Sequence, residues 1–73
     1  MQKQVFDLEG PHIELNQLLK LAGICHSGGA GKHLLASGGV YVDGVQELRK
    51  TAKIHAGQVV TVGGERIEVR GGD

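Results

Sequence analysis

The chain has 73 residues, enough for one domain with a small core and too few for a two-lobed enzyme built around an interdomain cleft. Apolar residues make up 40% and formal charges cancel to zero, which indicates a globular chain and gives no bulk attraction to nucleic acid. One cysteine, Cys25, excludes an internal disulfide, and neither a bilayer-spanning run nor a signal-like leader is visible, so a soluble cytoplasmic protein is expected.

In chain order, Val5 to Leu8 is expected as a short strand, broken by Gly10-Pro11. Leu15, Leu18, Leu19 and Ala22 fall at helical spacing and predict a helix over 13–22, closed by Gly23. Ser27 suits the N-cap of a second helix running to about Ser37, with Ala30, Leu34 and Leu35 as its buried stripe. Strands then follow. Val40-Tyr41-Val42 leads into Asp43-Gly44, a tight-hairpin signal, with Val45 to about Leu48 returning. Val59 to Val62 and Arg66 to Val69 form a second hairpin across Gly63-Gly64, and Gly71-Gly72-Asp73 reads as a loose tail. The fold class expected is α+β, two helices packed on a small, mostly antiparallel sheet in a single domain over 1–73.

Charge is unevenly spread. Residues 20–53 carry Lys20, Lys32, Arg49, Lys50 and Lys53 against Asp43 and Glu47, a local +3, while both flanking segments are acidic. A neutral chain with a basic middle presents a positive face when folding gathers those cations.

The stretch Ser27-Gly28-Gly29-Ala30-Gly31-Lys32-His33 spends helix stability on glycine, about 1 kcal/mol for each interior one. One reading is a phosphate held by first-turn N–H groups, the Ser27 hydroxyl and the Lys32 charge. The plainer reading is close packing of this helix on the first. A nucleotide-binding P-loop is excluded, because His26 stands where its first glycine belongs and His33 replaces its Ser or Thr. A dinucleotide fingerprint fails at Leu34 and lacks the βαβ setting. Cys25-His26 lacks an orienting third group, and His12, His26, His33 and His55 are far apart in sequence, so neither a catalytic site nor a metal or other cofactor is expected. His33 and His55 have basic neighbours and are candidate auxiliary contacts. Arg49-Lys50-Thr51-Ala52-Lys53 is a second basic cluster, which alone would be solvated surface. With Phe6 and Tyr41 as the only aromatics, phosphate and shape contacts suit this chain better than base stacking.

Ile13 to Gly23, then Ser27 to Ser37, Gly39-Val40-Tyr41-Val42-Asp43-Gly44 and Lys53 to Val60 together resemble the S-four RNA-binding domain family over about residues 12–62. The whole chain is similar to its small stand-alone bacterial, ribosome-associated members. The resemblance implies the alpha-L arrangement, two helices and an adjoining strand forming an RNA-binding face. It implies contacts from Lys20, Ser27, Lys32, Arg49, Lys50 and Lys53, to which the reading of the residues adds Gly28 and His33 as candidate RNA contacts. It also implies a monomer without enzymatic activity that binds structured ribosomal or transfer RNA and has no membrane partner. The chain departs from the family at the start of the second helix, where glycines replace the usual arginines and leave Lys32 as the main cation. The alternative is a protein-interaction module docking on the ribosome or on an RNA-modifying enzyme.

Overall fold

A computed structural model describes residues 2–25 and 28–71. The chain runs β1 (Gln2–Leu8), β2 (Ile13–Glu14), α1 (Leu15–Leu21), α2 (Gly28–Ala36), β3 (Val40–Val42), β4 (Val45–Gln46), β5 (Lys53–Ile54), β6 (Val59–Val62) and β7 (Glu65–Gly71). Five strands form one sheet in the order β1-β7-β6-β3-β4, and β2 pairs separately with β5. All pairings are antiparallel except β1 with β7, which run parallel from Gln2 opposite Glu65 to Leu8 opposite Gly71. The expected α+β architecture with two helices and a mostly antiparallel sheet is therefore present.

Alternation along the strands builds the core. Val40 faces Val62 and Val60 faces Ile67, and all four are buried. Leu8 and Val69 extend that surface, and Leu15, Leu18 and Leu19 of α1 with Leu35 of α2 close over it. No polar side chain is buried among the described residues. The opposite sheet face is open to solvent: Tyr41 is 42% exposed, paired across the ladder with Gln46 on one side and Thr61 on the other. Phe6 is half-buried and packs against the margin of the core.

Several boundaries move for identifiable reasons. The first helix begins at Leu15 because Ile13 and Glu14 are drawn into an antiparallel pair with Ile54 and Lys53. It closes as expected: Gly23 adopts φ 79, and the N–H groups of Gly23 and Ile24 return to the carbonyls of Lys20 and Leu19. α2 is one residue shorter at its far end than expected. β4 stops at Gln46 because the Glu47 carboxylate takes the N–H groups of Leu48 and Arg49, 3.0 and 3.1 Å away, and bends the chain off the sheet. Gly71, expected in a loose tail, is the last residue of β7 and pairs with Leu8. Residues 72 and 73, the remainder of that tail, lie outside the described residues.

Candidate nucleic-acid interface

The first-turn N–H groups of a helix need partners from outside it. Those of α1 find them in the basic loop. Leu15 donates to the Ala52 carbonyl and Asn16 to the Lys50 carbonyl, each at 2.9 Å, and Gln17 donates to the Asn16 side chain. Glu14, at the cap position, makes no side-chain cap. Two consequences follow. The donors of α1 are occupied and offer nothing to a phosphate. The loop that carries Lys50 and leads into Lys53 is bonded to the start of α1.

Lys20 lies one turn beyond Asn16 on the same flank, about 6 Å along the axis at 1.5 Å per residue. Leu15, Leu18 and Leu19 occupy the buried face, so Asn16 and Lys20 fall on one side of it and Gln17 and Leu21 on the other. Lys20 also stands in the last turn, where a cation complements the helix dipole whatever its other role. Lys20, Lys50 and Lys53 are exposed. The ion pairs among the described residues are Lys3–Glu68 at 3.1 Å, Arg49–Glu47 at 3.3 Å and Arg66–Glu68 at 3.7 Å, so those three lysines stand outside them. Lys53 does face Glu14 across the β2–β5 pair.

Arg49 is different. Its Nε and Nη2 donate to the two Glu47 oxygens, and hydrogen bonds from its backbone and then its guanidinium hold the Glu47 carboxyl below the usual carboxylate range. Its charge is thus partly spent inside the loop. His33 is exposed on α2, which packs on α1. Gly28 is the first residue of α2, and Lys32 lies within the same helix. Ser27 lies outside the described residues, as does any account of the Lys32 side chain.

Gly31 is buried, and a Cβ placed on it would meet the Cys25 sulfur at 3.9 Å, an ordinary contact distance. That side of α2 therefore faces the Cys25 side chain, and neither helix packing nor a ligand requires glycine there. Cys25 itself is a core residue whose burial pushes the thiol pKa up, away from a reactive thiolate.

One juxtaposition is invisible to sequence spacing. His12 and His55 were read as distant, yet the β2–β5 register sets them beside each other with ring centroids 6.0 Å apart. No third ligating group joins them, and no cluster of three metal-ligating side chains exists among the described residues. His55 is further fixed by its N–H, which donates to Gln58 Oε1 at 2.7 Å. Gln58 in turn donates to Asp43, whose other oxygen accepts from Val59 N–H at 2.9 Å. This chain of bonds ties the Asp43-Gly44 turn to the loop before β6.

Comparison with known proteins bears on the fold. The solution structure of YbcJ from Escherichia coli superposes with a TM-score of 0.71 at 46% identity, covering 90% of this chain and 85% of that one. That structure is described as revealing an "alfaL motif involved in RNA-binding". In sequence, the Escherichia coli (strain K12) protein named "Putative RNA-binding protein YbcJ" is 49% identical over 59 residues, 81% of this chain and 84% of its own. The Shigella flexneri protein named "Uncharacterized protein YbcJ" matches to the same extent. The model of the S4 domain matches residues 6–70, so nearly the whole sheet and both helices fall within it, and the chain belongs to the S4 domain family.

Proposed function

We propose that this chain is a non-enzymatic module that binds structured RNA, ribosomal or transfer RNA, through phosphate and shape contacts in a cytoplasmic setting. The observation that carries the reading is the anchoring of α1 by the carbonyls of Lys50 and Ala52. That anchoring bonds the loop that carries Lys50 and leads into Lys53 to the start of the helix that bears Lys20, which supports a shared cationic face. Likeness to YbcJ, whose motif is described as involved in RNA-binding, supports the same reading.

In this reading Lys20, Lys50 and Lys53 are joined by Lys32 and His33 from α2, with Ser27 and Gly28 offering a hydroxyl and backbone at the start of that helix. Phosphate contacts position the domain, and A-form geometry is sensed as shape. Arg49 contributes less than its charge suggests, because Glu47 competes for it.

The test is a titration of a structured ribosomal or transfer RNA fragment at several salt concentrations. Four lysines each neutralising one phosphate give a slope of log K against log salt of about −3 to −4. The triple variant Lys32→Glu, Lys50→Glu, Lys53→Glu is expected to lose most of the affinity while its melting transition persists. Unchanged affinity in that variant, or a slope near zero, overturns the proposed surface.

A further inference from the structure

The sheet edge farthest from β4 has a feature that RNA binding does not use. β1 is an outer strand that pairs only with β7, and among the described residues its backbone makes no other hydrogen bond. A groove of about 610 Å³ lies beside its C-terminal end. Phe6 through Glu9, four consecutive residues, line one wall. Successive strand side chains point to opposite faces, so a wall of four in a row presents the edge of the chain rather than one face. Such an edge is a template for a further strand.

The other wall comes from β2 and α1. Ile13 and Leu21 give it an apolar surface together with Phe6, and Leu21 is 65% exposed. Asp7, Glu9 and Glu14 form an exposed acidic rim, and none takes part in an ion pair among the described residues. Arg70 is the register partner of Asp7, and Lys53 that of Glu14. Glu9 has no strand partner.

We propose that this groove binds an extended protein segment with alternating basic and apolar side chains, added to β1 as an extra strand. The free edge supplies backbone donors and acceptors. Alternate residues of the segment then place apolar side chains against Phe6, Ile13 and Leu21 and cations against Asp7, Glu9 and Glu14. RNA is the wrong occupant, since its phosphates would meet carboxylates. A second copy of this chain is also disfavoured, because edge-to-edge pairing would bring two such acidic rims together. Gln17 and Leu21 line the groove, while Asn16 and Lys20 lie on the other flank of α1, so the groove and the Lys20 flank are different sides of that helix.

The experiment is an amide chemical-shift titration of the full chain with an eight-residue peptide alternating lysine and valine. Its controls are the glutamate–valine counterpart and a version N-methylated at every second residue, which cannot donate along one edge. The expected result is shifts centred on Phe6 to Glu9 and Leu21, with binding weakened about tenfold by N-methylation and by Asp7→Lys with Glu9→Lys. That double variant does not lose RNA affinity. The proposal is overturned by shifts centred on Val45 to Leu48 or on Lys50 to Lys53, by equal binding of the acidic peptide, or by an RNA hairpin perturbing the same edge amides. Because N-methylation is read on the wild-type chain, the result does not depend on the double variant folding.

Discussion

Gly31 and Glu47 illustrate how single side chains, or the lack of one, divide structural from functional roles. Gly31 is helical, buried, and leaves room for a methyl group at ordinary contact distance from Cys25. Gly31→Ala is therefore expected to raise stability by about 0.5–1 kcal/mol in chemical denaturation, by removing backbone freedom from the unfolded chain. RNA affinity should stay the same. Glu47 is held below the usual carboxylate range, so it contributes stability above its unfolded pKa, lost as pH falls through the lower folded value. Acid titration should therefore move the Leu48 and Arg49 amides together, at a pH below the ordinary glutamate range. Glu47→Gln keeps an acceptor for those amides but removes the charge that competes for Arg49. Its expected effect is tighter RNA binding at low salt, by about twofold, the scale of one exposed ion pair. The Glu47–Arg49 pair follows from the bend after Gln46, which the strand pattern of Val45 to Leu48 does not reveal.

Among the elements, those with local causes were legible and those with distant causes were not. The leucines of α1, the Asp43-Gly44 turn and the Val59–Val62 run declare themselves through periodicity and turn chemistry. β2 and β5 are two residues each, and nothing in Ile13-Glu14 marks a strand until Lys53-Ile54 arrives opposite. The same pairing hid the meeting of His12 with His55. The basic loop was legible as charge, whereas its bonds to the start of α1 were not, since they run through backbone carbonyls that any sequence possesses. The turn at Asp43 offers a test at this scale. Asp43 sits at φ 51, a conformation that asparagine also tolerates. Asp43→Asn thus preserves the turn but sets an amide N–H₂ against the Gln58 N–H₂ or forces Gln58 to flip away from His55. The expected cost is about 1 kcal/mol in urea denaturation. Asp43→Ala should cost more, because the left-handed preference is lost too.

For the molecule as a whole, zero net charge conceals two groupings: Lys50 and Lys53 in and after the loop bonded to the start of α1, and Asp7, Glu9 and Glu14 around the groove beside β1, the two meeting where Glu14 faces Lys53. The family relationship covers residues 6–70 and accounts for the architecture. The parallel pairing of the first strand with the last has a further meaning in time. Residues 2 and 65 are partners, so β1 has nothing to lie against until β7 is in place. The β3–β4 and β6–β7 hairpins join neighbouring segments and form without it. Closing a contact of the longer span is slow compared with forming these local hairpins. The last step of assembly is then a zipper, and the outer strand acquires its shape only after the sheet it borders.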